Sequence, residues 1–132
     1  EAVHVPPPAA GSRFAIYKIT KRRDEDITAT LGAFSLTLDA SGTVEKIRIA
    51  YGGMAATPKR ARTVEAALAG KPWTRETVDA ALAGYEKDFS PLTDMRASAE
   101  YRMLASKNLL IRFFLETSGH AGPVQVGRYE AA

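Results

Sequence analysis

Cysteine is absent from the 132 residues, and histidine is scarce, with only His4 and His120, one near each end. The first absence removes disulfides, thiol nucleophiles and thiolate ligation of zinc or iron–sulfur clusters from this chain. The second makes any histidine-based triad or two-histidine metal site depend on both ends converging, and solvated terminal histidines are the simpler reading. No apolar run approaches the roughly 18 residues that a membrane-spanning helix needs. There is no strand–GxGxxG–helix unit and no Walker loop, so no self-contained dinucleotide site is encoded. The opening Glu1–Pro8 stretch lacks the basic and long apolar regions of a signal peptide. Charge of one sign is not in large excess. Eighteen Lys and Arg stand against 15 Asp and Glu, a net +3, and the signs are interleaved rather than gathered on one patch as in nucleic-acid binders. What remains is 45% apolar and 25% charged residues with ten Gly and seven Pro. These ordinary globular values exclude disorder and collagen. At this length one domain is expected, burying about two thirds of the unfolded chain's surface. The composition points to a cytoplasmic type of chain with no membrane segment; no catalytic residue and no metal ligand stands out.

Glu1–Val5 reads as the end of a strand, and Pro6-Pro7-Pro8 followed by Gly11 as a stiff connector with a joint. Phe14 to Thr20 is β-branched and aromatic without a breaker, so a strand is expected. Period two places Ala15, Tyr17 and Ile19 on one face and Phe14, Ile16 and Lys18 on the other. Both faces are apolar except at Lys18. The strand is therefore expected to be covered on both sides, with Lys18 at the edge of a second contact surface.

Leu31 to Asp39 alternates Phe34, Leu36 and Leu38 against Ser35, Thr37 and Asp39. The Asp39–Gly42 turn leads to a return strand, Val44 to Tyr51, with Ile47, Ile49 and Tyr51 on its apolar side. Three helices follow. Thr57 is the expected cap of the first, with Pro58 in its first turn and Gly70 at its end. Thr74 caps a second, bearing Val78, Ala81, Leu82 and Tyr85 and closed by Pro91. The third begins near Ser98, carries Tyr101, Leu104, Ala105, Ile111 and Leu115 with Met103, Leu110 and Phe114 alongside, and should be the most buried. A short extended piece is expected at Pro123–Val126. Strands first and helices after give an α+β fold: a small antiparallel sheet of three to four strands with a three-helix layer packed on one face.

The densest polar stretch is Lys18 to Asp26, with four cations followed by three carboxylates. Two readings stay open: a solvated loop whose charges screen one another, or the lip of a site facing an anionic or electron-carrying ligand, which Arg forks and Lys point charges suit. Gly52-Gly53 can end a strand or let backbone approach a ligand. Trp73 and Tyr85 can stack on a ligand or pack between helices. Asp94 can cap the third helix or pair with Arg96 or Arg102.

Three stretches, Tyr17–Ile27, Ala50–Ala55 and Ser90–Arg102, occur in an order and at intervals that carry a resemblance. From Val3 to Gly119 the chain resembles the C-terminal part of the FAD-binding region of xanthine dehydrogenases, in the molybdenum hydroxylase family. The medium subunits of carbon monoxide dehydrogenases are close cousins. The resemblance implies that residues 1–11 connect to an upstream FAD domain and residues 12–132 form the flavoprotein C-terminal domain. It implies FAD shared with that upstream domain, and a molybdenum cofactor and [2Fe-2S] clusters elsewhere in the full enzyme. It also implies a molybdenum-cofactor subunit as partner and NAD at the flavin. Lys18 matches the strand lysine close to the flavin. Arg22 and Arg23 match the basic pair beside the nicotinamide approach, and Glu25 an acidic position near the flavin ring where many relatives carry Asp. Asp24 and Asp26 are expected to be structural. The isolated chain is expected to fold, to bind FAD poorly and to be inactive. The alternative is a stand-alone module using the Lys21-Arg22-Arg23 loop on an acidic partner or nucleic acid.

Overall fold

The computed structural model describes residues 1–5, 7–22 and 26–119. Among these, four strands form one antiparallel sheet in the order β1 (Arg13–Ile19), β2 (Thr30–Leu38), β3 (Val44–Gly52), β4 (Lys59–Arg60). The helices are α1 (Arg62–Leu68), α2 (Arg75–Ala81), α3 (Tyr85–Asp88) and α4 (Ala99–Thr117), with a 3₁₀ turn at Leu82–Gly84 joining α2 to α3. The fold is the expected α+β one. Glu1–Val5 is not a strand, however, and the expected second helix is broken by the 3₁₀ turn. The Pro123–Val126 piece lies outside the described residues, as does His120.

Alternation decides which side of the sheet is covered. Opposed residues Tyr17–Gly32–Tyr51, Ala15–Phe34–Ile49 and Arg13–Leu36–Ile47 form rows on the helix side, where Phe34, Leu36, Ile49 and Tyr51 are fully buried. Gly32 is small because a Cβ there would come within 2.8 Å of the Phe34 ring and 2.9 Å of the Tyr51 ring. On the helix side Val64, Leu68, Val78, Tyr85, Leu110 and Phe113 complete the core. Phe34 stacks on Phe113 with centroids 5.1 Å apart. At the β2–β3 turn Gly42 takes φ 81°, and Asp39 Oδ1 accepts the Ser41 and Thr43 amides.

The helix ends correct one expectation. Thr74 and Ser98 cap α2 and α4 as their residue types suggest, accepting the amides of Thr77 and Tyr101. Thr57-Pro58 does not start a helix. Residues 59–60 extend the sheet instead, and α1 begins after Ala61, which makes no side-chain cap. Its cap comes from far along the chain: the Asp88 carboxylate accepts the Thr63 amide at 2.9 Å, the Val64 amide at 3.1 Å and the Thr63 hydroxyl at 2.7 Å. Carboxylate on the first amides of a helix is favoured by both hydrogen bonding and the helix dipole.

Candidate functional site

The face of the sheet away from the helices is open among the described residues. Its cross-strand rows are Lys18–Leu31–Gly52, Ile16–Ala33–Ala50–Arg60, Phe14–Ser35–Arg48 and Thr37–Lys46. Phe14 and Ile16 are 60% and 55% exposed, so the expectation that β1 is covered on both sides does not hold within the described residues. The reason is topological. All four helices follow the sheet in sequence and close on one face. On the other, Val5, Pro7, Pro8 and Ala9 line a groove with Phe14, Ser35, Thr37, Lys46 and Arg48.

Lys18 stands on this open face near the end of β1. Its neighbour Tyr17 turns the other way and is 7% exposed. Tyr17 donates to Glu116 and lies under the Arg112 guanidinium, 4.4 Å from the ring centroid. Burial, then the Glu116 hydrogen bond, push the Tyr17 hydroxyl well above its ordinary pKa. Lys18 is exposed and makes no ion pair among the described residues. Across the strands it meets Leu31 and then Gly52, so the row beside the ammonium is apolar and low.

Beyond Ile19 the charged loop leaves the sheet. Ile19 accepts the Ala29 amide at 2.8 Å, which closes its neck. Lys21 Nζ donates to the Met95 carbonyl at 2.6 Å. Arg22 and Asp26 form an ion pair at 3.8 Å, and Asp26 Oδ2 accepts the Arg22 amide at 2.9 Å. That amide bond, the largest cause, holds the Asp26 carboxyl below its ordinary pKa. In the described part of the loop Arg22 and Asp26 pair with each other, while Lys21 is tied to the Met95 carbonyl. Arg23 and Glu25 lie outside the described residues, as does Asp24. Of the sequence-predicted site residues, Lys18 and Arg22 are placed, one on the strand and one in the loop that follows it.

Sequence reasoning offered Arg102 only as one partner for Asp94 and missed its burial beneath this loop. Arg102, in the first turns of α4, is 3% exposed, while Tyr101 and Leu104, expected on the buried stripe, are 49% and 60% exposed. One guanidinium nitrogen of Arg102 donates to the carbonyls of Ala29 and Gly53, and the other to Asp94 Oδ1 at 2.7 Å. Of the open readings of Asp94, it takes the pairing with Arg102. Gly53, the residue after β3, has φ 80°, and its backbone contact is with Ala29 and Arg102. Trp73 and Tyr85 pack in the core. Trp73 lies edge-on to Phe113 and Phe114 and donates to Thr117, and Tyr85 joins Tyr51 at 2.7 Å. No group of three or more metal-ligating side chains occurs among the described residues, and no helix of theirs is long and apolar enough to cross a membrane.

The fold has counterparts. Residues 15–117 match the family model of the CO dehydrogenase flavoprotein C-terminal domain. A carbon monoxide dehydrogenase from Hydrogenophaga pseudoflava, solved without the Mo-pyranopterin moiety of its molybdenum cofactor, is 31% identical with a TM-score of 0.77, over 89% of this chain and 40% of that one. The reconstituted CO dehydrogenase from Oligotropha carboxidovorans is 26% identical with a TM-score of 0.76 and the same coverage. Quinoline 2-oxidoreductase from Pseudomonas putida 86, at 23% identity and a TM-score of 0.71 over the same shares, is a likeness of fold alone. The chain thus spans 40% of the length of these solved chains. No curated protein sequence matches it comparably. With a family match running from β1 to the end of α4, the chain belongs to the CO dehydrogenase flavoprotein C-terminal domain family.

Proposed function

We propose that this chain is the C-terminal domain of the FAD-binding part of a molybdenum hydroxylase, and more narrowly of a xanthine dehydrogenase. In that reading it covers a flavin that receives electrons from [2Fe-2S] clusters and passes them to NAD. The observation that carries the proposal is the position of Lys18: exposed, on the sheet face opposite the helices, beside exposed Phe14 and Ile16. Apolar side chains of that size on a flat face suit cover by another part of a larger protein, and the solved relatives are longer than this chain.

The residues present fit a flavin edge. A row of one ammonium, a leucine and a glycine offers a positive charge and space, with no carboxylate in that row. When bound, the flavin would supply the redox chemistry. Lys18 would hold a fixed positive charge beside the ring, and once water is excluded such a charge stabilises added negative charge and raises the ring's potential. Arg22 and Arg23 would flank the approach of the anionic nicotinamide cofactor, and Glu25 would stand near the ring. The molybdenum subunit and upstream FAD domain are the partners in this reading, the setting is cytoplasmic, and nucleic acid has no part. Alone, the chain would be inactive and bind FAD weakly.

The test uses the complete enzyme. Lys18→Ala should slow flavin-dependent NAD reduction while leaving heterocycle oxidation with an artificial acceptor at the molybdenum end intact. Equal loss of both activities would make Lys18 structural only. Turnover of carbon monoxide rather than a purine would remove the xanthine dehydrogenase assignment and leave the flavoprotein role standing.

A further inference from the structure

The stretch from Asp94 to Arg102 is not accounted for by a flavin-facing lysine. Arg102 donates to three acceptors in three segments: Ala29 where the charged loop returns to the sheet, Gly53 just after β3, and Asp94 in the connection before α4. Ala29 is half of the loop's neck, since its amide donates to Ile19. Asp94 Oδ1 also accepts the amides of Arg96 at 2.9 Å and Ala97 at 3.2 Å. That turn holds out the Met95 carbonyl, which receives Lys21 Nζ. Arg102 therefore reaches the loop by two routes, directly at its neck and through Asp94 and Met95 at Lys21.

The chemistry of the residue matters here. A planar fork serves acceptors that diverge, whereas an ammonium is a compact point charge on a single stem. Arg102 Nε is left without a partner among the described residues, so the side chain gives up one donor while it spans the three segments. Stability alone does not call for this arrangement, because buried ion pairs replaced by apolar groups of similar volume are often as stable or more so. What a buried fork adds is a defined geometry for the segments that it joins.

We infer that Arg102, together with Asp94, is a positioning residue that fixes the described ends of this loop, at Lys21 and at Ala29, and, through the Ile19 neck, the strand end that carries Lys18. The inference rests on the reading of Lys18 given above for its functional meaning. The anchoring itself is independent of that reading. Arg102 touches no substrate in this account; it acts through the loop and the strand end.

Two readouts separate the parts. Lys21 and Arg22 are tryptic sites in the described part of the loop, so cleavage after them by trypsin reports its opening. In the complete flavin-containing protein, Arg102→Lys and the milder Asp94→Asn should each raise the initial rate of cleavage in this loop by roughly tenfold, because cleavage follows the population of the opened segment. Both should also shift the flavin midpoint potential in the same direction as Lys18→Ala, with Arg102→Lys the larger. Should Arg102→Lys fail to fold, Asp94→Asn carries the test, since its side chain is 35% exposed. Wild-type cleavage rates in a folded variant would overturn the anchoring. A freed loop with an unchanged potential, while Lys18→Ala does shift it, would overturn the link to Lys18. If Lys18→Ala itself leaves the potential unchanged, the flavin-facing reading fails, and faster cleavage would still support the anchor.

Discussion

The Gly53 carbonyl accepts the Arg102 guanidinium at 3.1 Å, and the bare α-carbon of the same glycine turns toward Ala29. A Cβ at this position would lie 2.4 Å from the Ala29 carbonyl oxygen and 3.0 Å from Arg102, at φ +80°. Gly53→Ala should therefore cost about 2 kcal/mol or more, a fall in melting temperature of roughly 8 °C. Gly70 provides the contrast. It too has positive φ, but a Cβ would meet nothing within 4 Å, so Gly70→Ala should cost only about 1 kcal/mol of backbone strain. Equal losses in thermal melts of the two variants would remove the close-approach argument.

Asp88 holds α1 from a distance. Replacing it by Ala leaves the amides of Thr63 and Val64 without their carboxylate in a partly buried site. The expected loss is about 2–3 kcal/mol in urea unfolding. Thr57→Ala should lose less than about 0.5 kcal/mol, because Thr57 caps no helix here. The reverse ranking would restore the local cap that residue types suggested.

Tyr51 and Tyr85 share a hydrogen bond, yet their hydroxyls are not equivalent. Tyr51 donates its one proton to the Ser106 carbonyl, so Tyr85 must donate to Tyr51. Burial, the largest cause, raises both hydroxyls above their ordinary pKa, and both stay neutral across the physiological range. Tyr85→Phe removes a donor and should cost about 1 kcal/mol. Tyr51→Phe leaves the buried Tyr85 hydroxyl without an acceptor and takes the second donor from the Ser106 carbonyl inside α4, so it should cost more, about 2 kcal/mol. Chemical denaturation of the two variants reads this asymmetry directly.

The Asp94 carboxyl is held below its ordinary pKa, first by the Arg96 amide and also by Arg102. A depressed carboxylate pKa contributes stability that is complete above the unfolded value. It is lost as pH falls through the folded one. The stability gap between the wild type and Asp94→Asn should therefore be widest near neutrality and should narrow below about pH 4. Urea midpoints across that range would show it, and a gap that stays constant into acid would mean that the Asp94 charge does not matter.

What was legible in the sequence is what local chemistry decides. The alternation of Phe34 and Leu36 with Ser35 and Thr37 specifies a half-covered strand. Asp39, Thr74 and Ser98 bond their own neighbourhoods, so the turn and two helix starts can be read from residue type. Thr57-Pro58 misleads because α1 takes its cap from Asp88, 25 residues on from Thr63. The burial of Arg102 hides for a related reason. Its acceptors Ala29 and Gly53 are distant in sequence, and at helical spacing Tyr101 and Leu104 look like the better core residues. The direction of Lys18 was legible from strand parity alone. The absence of cover over Phe14 and Ile16 among the described residues was not, because parity distinguishes two faces without saying what lies on either.

In the proposed role, Lys18 presents its charge to a flavin held by another part of the same protein. Redox titration of the flavin in the complete enzyme tests it most directly, comparing the wild type with Lys18→Ala and Lys18→Arg. A lower midpoint potential is expected for Lys18→Ala, because a stabilising cation is lost, with partial or full restoration in Lys18→Arg. A midpoint potential that is the same in all three proteins, each with FAD fully bound, would contradict it.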